Sequence, residues 1–159
     1  MPSLHFEEIL PYRAVDLYDL VMDVALYPQI FPEVKAVEIV KTAENYRNVD
    51  VTARAPFLTF KYNCDVEGEP PSKIMVTATE GAFESMQVHW TFDPLPDGRT
   101  RVGYEMSFDF GGFGLKNKMA ESYIRQTMGE MRARLRDYIA EHLKRAPTPV
   151  AGSVPAPAL

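Results

Sequence analysis

Few side chains in this chain of 159 residues are of a type and spacing to do covalent chemistry. His5, His89 and His142 share no metal-ligand spacing, and His89 falls on the polar side of its segment. Asp16, Asp19 and Asp23 recur along one stretch but off its apolar stripe, the pattern of a solvated helix face. Cys64 alternates into an apolar face, where a thiol behaves as a small hydrophobe rather than a nucleophile. Gly111–Gly114 lacks the lysine and the Ser/Thr of a phosphate-binding loop and is expected to be a hinge. Tyr62 and Tyr104 remain: each brings a hydroxyl to an apolar face, and a buried hydroxyl needs a hydrogen-bond partner. With no nucleophile beside a base and no paired acids, the residues signal no covalent chemistry, and the apolar face that carries these tyrosines is either packed core or the wall of a pocket.

The elements that must position these residues follow from periodicity. Leu4, Phe6, Glu8 and Leu10 alternate with His5, Glu7 and Ile9 and predict a first strand, ended by Pro11. Leu17, Leu20, Val21 and Val24 fall at i, i+3, i+4 and i+7 and predict a helix from Arg13 to Val24; Pro28 and Pro32 then allow only a short second helix or turn. Six strands are expected near Val34–Thr42, Tyr46–Arg54, Leu58–Glu67, Ile74–Thr79, Ser85–Phe92 and Arg101–Phe110, joined by turns short enough for antiparallel neighbours. One face carries Tyr62, Cys64, Trp90, Tyr104, Met106, Phe108 and Phe110; the other carries Lys61, Asn63, Asp65, Gln87 and Glu105. After the glycines a helix from Leu115 to Lys144 is expected to face the sheet with Ile124, Met128, Met131, Leu135, Tyr138 and His142, flanked by Met119, Tyr123, Ile139 and Leu143. This order predicts an α+β domain over 1–145, a single curved antiparallel sheet of about seven strands wrapped around a long C-terminal helix, with two short helices after the first strand. Repeated prolines from Ala146 onward predict a disordered Pro/Ala-rich tail over 146–159.

Composition narrows the partners. A net charge of -5 argues against DNA, which needs a concentrated cationic face, and a single cysteine excludes an intrachain disulfide and suits a reducing compartment. There is neither an apolar run long enough to span a membrane nor the start of a secretory signal, so the cytoplasm is expected.

Leu17-Tyr-Asp-Leu-Val-Met-Asp-Val-Ala-Leu-Tyr-Pro-Gln-Ile-Phe-Pro32, then Gly81-Ala-Phe83 leading to Trp90-Thr-Phe92, then Gly98, Val102 and Phe108-x-Phe110 resemble the Coq10 family. That START-like, polyketide-cyclase-like family includes proteins called ribosome association toxin A, and the resemblance covers roughly residues 3 to 144. It implies a helix-grip fold around a hydrophobic cavity, and a non-enzymatic carrier or chaperone of ubiquinone or a related prenyl lipid supporting respiration, with no cofactor beyond that bound quinone. Two positions depart from the pattern: Arg13 stands where a Ser or Thr helix cap is usual, and Cys64 where a small hydroxyl residue is expected.

On the residues alone the apolar stripe is either close-packed core or a pocket. The resemblance turns it toward a pocket, with Phe31, Pro32, Phe113 and Leu115 at its entrance, Trp90, Met106 and Phe108 in its wall, and Met119, Tyr123, Met128 and Met131 facing them from the helix. Tyr62 and Tyr104 are the expected recognition points, and Phe113 and Leu115 could also touch a bilayer surface, a transient peripheral contact at the inner membrane. Two rivals stand beside this. A ribosome-binding protein would use Arg125, Arg132, Arg134, Arg136, Lys144 and Arg145 of the last helix, although Glu121, Glu130, Asp137 and Glu141 among them also fit a plain solvated face. An aromatic polyketide cyclase would need an acid or base inside the cavity, where the strand faces offer little beyond tyrosine.

Overall fold

The computed structural model describes residues 2–56 and 58–143. The expected tail over 146–159, with Lys144 and Arg145, lies outside the described residues.

Strand β1 (Ser3–Leu10) turns Leu4, Phe6 and Leu10 inward, and the same alternation turns Glu8 inward with them. Helix α1 (Ala14–Met22) starts at Arg13, which supplies no side-chain cap; its guanidinium instead pairs with Asp16 of the first turn at 2.9 Å. The buried stripe of α1 is Leu17, Leu20 and Val21 as the spacing predicts, widened by Tyr18. A 3-10 turn (Val24–Leu26) leads into α2 (Tyr27–Ile30), whose Pro28 occupies the first turn, where its missing N–H costs nothing. Pro32 ends that segment by holding Phe31 in the extended region.

Strands β2 (Val34–Ala43), β3 (Tyr46–Ala55), β4 (Leu58–Glu69), β5 (Lys73–Gly81), β6 (Ser85–Pro94) and β7 (Thr100–Asp109) form a meander of hairpins. Each neighbour pair is antiparallel, and β1 closes the order as β1-β7-β6-β5-β4-β3-β2. The register sets Phe6 opposite Tyr104 and Trp90 opposite Tyr104, so three rings from three strands meet on the inner face. The edge strand β2 carries bulges at Val34/Ala36 and Ile39/Lys41, which twist an exposed edge away from flat pairing. Tyr18 of α1 lies against Phe92 and donates its hydroxyl to Asn45 Oδ1 at 3.0 Å. It presses so close to Gly68 that a side chain there would run into the ring.

Helix α3 (Leu115–His142) spans 28 residues, about 42 Å at 1.5 Å per residue, and crosses the inner face. Its buried line is Ala120, Met131, Leu135 and Ile139, with Ile124, Met128 and Tyr138 partly buried beside it. This corrects the expected stripe at its two ends: Met119 is 39% exposed and His142 faces solvent. A ladder of four-and-three steps tolerates a neighbouring phase, and small Ala120 is what lets the first turns of the helix approach the sheet. The fold is α+β with the seven-stranded antiparallel curved sheet, the long last helix and the two short early helices expected from the sequence.

Candidate ligand-binding site between the sheet and the last helix

Two small chambers lie over the inner sheet face, the first under the N-terminal half of α3 and the second under α2 and the turn that follows it. The first, about 40 Å³, is walled by Phe60, Phe83, Phe108 and Phe110 of the sheet side and closed by Ala120, Tyr123 and Ile124. The second, about 50 Å³, is walled by Phe31, Val76, Val88, Trp90 and Tyr104. Three residues line both: Glu33, Tyr62 and Met106. They are the partition. Each chamber holds a few water molecules at most, far below the ~300 Å³ at which ligand pockets begin, so a ligand of any size must displace side chains to enter. Met106, unbranched and only partly buried, is the partition's most adaptable member. A larger, open groove of about 720 Å³ lies on the outer sheet face, where Glu38, Asp50, Lys61, Asn63 and Glu80 make it polar.

The residues expected at the site divide accordingly. Phe31, Trp90 and Tyr104 line the second chamber, Phe108 and Tyr123 the first, and Tyr62 and Met106 both. Pro32 is buried next to them and lines neither; its carbonyl accepts from Lys35 Nζ at 3.1 Å. Met128 packs partly buried on the core outside both chambers, while Phe113, Leu115 and Met119 face solvent. Met119 and Met128 are therefore not walls in this conformation. The methionines at the chambers come from the sheet, Met86 and Met106.

Glu33 escaped the sequence reading altogether. It sits in the turn between α2 and β2, where no alternation marks a side as inner, and only its position directly after Phe31-Pro32 hinted at the entrance. Burial is the main influence on its carboxyl and pushes its pKa above the ordinary value of 4.5, against weaker opposing effects of its own backbone N–H, Arg134 and Lys35. Neither cation is free to neutralise it: Arg134 is bound to Glu130 at 2.8 Å and Lys35 to the Pro32 carbonyl. The same burial raises the hydroxyls of Tyr62, Tyr104 and Tyr123, with Glu33 among the charges adding to each. The Tyr104 hydroxyl already donates to Met106 Sδ at 3.5 Å, and that of Tyr27 to the Val21 carbonyl at 2.9 Å. Cys64 is buried beside the second chamber with its thiol pushed up to about 12, chiefly by desolvation, so it stays protonated and inert.

The cover over the first chamber is the N-terminal half of α3, and its attachment is local. Gly111, Gly112 and Gly114 hold φ of 80°, 72° and 86°, a left-handed run that side-chain-bearing residues resist. Asn117 ties the helix back to β7, accepting from the Phe110 N–H at 2.8 Å and donating to Asp109 Oδ1 at 2.9 Å. Phe113 within the glycine run is fully exposed, and Leu115, between that run and Asn117, is largely so. The C-terminal half is anchored by Met131, Leu135 and Ile139 and by Arg132, which binds Glu8 of β1. The arginines of α3 are not a free cationic stripe: Arg125 pairs with Glu121, Arg132 with Glu8 and Arg134 with Glu130, and Arg136 lies 3.8 Å from Glu8. Among the described residues no helix is long and apolar enough to cross a membrane.

A sheet gripping a terminal helix over an apolar interior defines the START-like class. The chain belongs to the family described as polyketide cyclase / dehydrase and lipid transport, whose model matches residues 10–136. Among its relatives is the ribosome association toxin RatA of Rickettsia prowazekii, 33% identical over 130 residues, which cover 78% of this chain and 86% of that protein. RatA of Escherichia coli K12 is 26% identical over 137 residues, 85% of this chain and 82% of its own. Solved structures share the fold: TTHA0849 of Thermus thermophilus superposes with a TM-score of 0.75 at 19% identity, covering 88% of this chain and 98% of that one. The Zhui aromatase/cyclase of Streptomyces sp. R1128 superposes at 0.73 and 18%, covering 96% and 99%.

Proposed function

We propose that this protein binds an apolar, ring-bearing lipid of the prenyl quinone type between its sheet and α3, and acts by holding and releasing it rather than by converting it. The observation that carries this reading is the partition: two apolar chambers are separated by Tyr62, Met106 and Glu33, under a half-helix hung on a glycine hinge. Turning Met106 aside joins the chambers, and lifting the N-terminal half of α3 enlarges the first. Burial of the ligand then contributes roughly 25 cal/mol per Å² of apolar area, offset by the cost of ordering its tail. Exposed Phe113 and Leu115 are set at the moving end, where contact with a bilayer surface would favour the open form; the protein itself is cytoplasmic in this reading. Extraction and mass spectrometry of lipid copurifying with the full chain tests it. A stoichiometric prenyl quinone, lost in a folded Trp90→Ala, Met106→Ala variant, is the expected result; an empty protein that takes up no added quinone overturns it.

A second reading is favoured by the relatives' names. Proteins called ribosome association toxins are similar to this chain along most of its length, and a ribosomal partner fits that likeness. Among the described residues the arginines of α3 are ion-paired, while Lys116 and Lys118 near its start are exposed and in no salt bridge. Sedimentation with ribosomal subunits at low and high salt separates an RNA contact from a protein one, since binding through phosphates falls steeply with salt. The partly buried carboxyl of Glu33 lines both chambers, a place where a polyketide cyclase would need an acid, and product formation from a polyketide would decide that point.

A further inference from the structure

We propose that Glu33 is the polar recognition point of the interior, donating a hydrogen bond from its protonated carboxyl to an oxygen of the bound ring. The inference rests on the interior-binding reading and names what that site selects: an apolar molecule carrying a hydrogen-bond acceptor oxygen, as against a pure hydrocarbon of the same shape.

The argument is positional. Both chambers meet at Glu33, Tyr62 and Met106, so a ligand long enough to occupy both passes this point wherever its tail lies. Among the described residues, Glu33 is the one carboxyl lining either chamber. The groups around it come from every packed element: Tyr27 of α2, Lys35 of β2, Tyr62 of β4, Tyr104 of β7, and Tyr123, Glu130 and Arg134 of α3. The two cations among them are engaged elsewhere, Arg134 on Glu130 and Lys35 on the Pro32 carbonyl, and the tyrosines stay neutral because burial raises their hydroxyls. A carboxyl so placed holds its proton more tightly than a free one, and in the protonated form it donates. Charging it beside a quinone carbonyl would set an anion against an acceptor lone pair, so affinity should fall as pH rises through the raised Glu33 value. Tyr104 and Tyr27, by contrast, already donate their hydroxyls to Met106 Sδ and to the Val21 carbonyl.

The test uses the full chain and two probes of one skeleton, 2,3-dimethyl-1,4-naphthoquinone and 2,3-dimethylnaphthalene, measured by equilibrium dialysis from about pH 5 to about pH 8. The readout is the ratio of the two affinities. In the wild type this ratio should drop with rising pH; in Glu33→Gln, whose amide still donates, it should stay flat and high; in Glu33→Leu it should be flat and about tenfold lower than in Glu33→Gln. Quinone binding with an unchanged ratio in Glu33→Leu overturns the assignment while leaving interior binding standing. If Glu33→Leu fails to fold, the wild type and Glu33→Gln decide alone, a flat wild-type ratio overturning the assignment. No binding of either probe to the wild type, with Trp90 emission unmoved, overturns the interior-binding reading beneath it.

Discussion

Glu8 on β1 accepts from both Nε and Nη2 of Arg132 on α3, at 3.0 and 2.7 Å, through the single oxygen Oε1, while its Oε2 is buried without a partner. The Arg132 guanidinium also lies 5.0 Å over the Phe6 ring. With the Glu8 side chain 11% exposed and that of Arg132 33%, removing one partner leaves a charge that water reaches poorly. Arg132→Ala should therefore cost about 2 kcal/mol, below the full penalty of a wholly buried pair because Arg132 is a third exposed. Replacing both, Glu8→Leu with Arg132→Met, should recover most of that loss. Urea unfolding of the three variants checks it; equal losses in single and double variants would show that the pair itself is the stabilising element.

Gly68→Ala should destabilise by about 2 kcal/mol, the cost of forcing a methyl into an occupied space. The occupant is the Tyr18 ring, hydroxyl first. Adding Tyr18→Phe should restore only part of the loss, since the ring carbon behind the hydroxyl is also close and the bond to Asn45 is forfeited. Thermal melts of the single and double variants provide the comparison.

Folding raises the Glu33 carboxyl pKa, so the native state holds that proton more tightly than the unfolded chain does. Its contribution to stability is complete below the unfolded value and is lost as pH rises through the raised folded one. Glu33→Gln removes this dependence. The gap in melting temperature between Glu33→Gln and the wild type should move in favour of the variant as pH increases above 4.5, and a gap that is constant with pH would contradict the burial of this group.

The Asn117 tie predicts where the molecule opens. Asn117→Ala strands the Phe110 N–H and loosens Asp109, whose carboxyl the Asn117 amide and the Gly111 N–H hold below the ordinary carboxylate range. Amide exchange over 115–124 should accelerate about tenfold, corresponding to one lost hydrogen bond. Exchange around Met131, Leu135 and Ile139 should not change. Acceleration along the whole helix would mean that α3 moves as a rigid rod.

Cys64, buried with a thiol pushed up to about 12, should resist iodoacetamide at neutral pH in the folded protein and react fully in denaturant. Mass spectrometry reads the difference directly. Labelling of the folded chain at the rate of a free thiol would show that the second chamber is open to solvent.

Much of this architecture was legible because strands advertise their faces. The alternation that put Trp90, Tyr104, Met106 and Phe108 on one side holds residue for residue, since a pleated strand allows no intermediate phase. The helix was legible in extent and less so in phase: Met131, Leu135 and Ile139 face inward as their spacing predicts, but steps of three and four also admit Met119 and His142 where the structure buries Ala120 instead, and only the surface opposite decides. Glu33 was not legible because turns carry no period. Its inward position follows from the two prolines and Phe31, which fix the path of the chain past the sheet, and not from any pattern in its own neighbours.

The pairing of β1 with β7 and α3 sets the order in which the protein is assembled. Glu8 and Arg132 are 124 residues apart, and Thr100 reaches back across 88 residues to the Tyr12 carbonyl. Of these seven strands, the one that leaves the ribosome before the others is thus among the last to find its place. Hairpins from β2 to β7 can zip as they emerge, but Leu4, Phe6 and Leu10 wait, uncovered, until the far end of the sequence arrives. Contacts so distant slow folding, and a nascent chain stalled short of β7 offers chaperones an apolar ribbon with nothing to pair it.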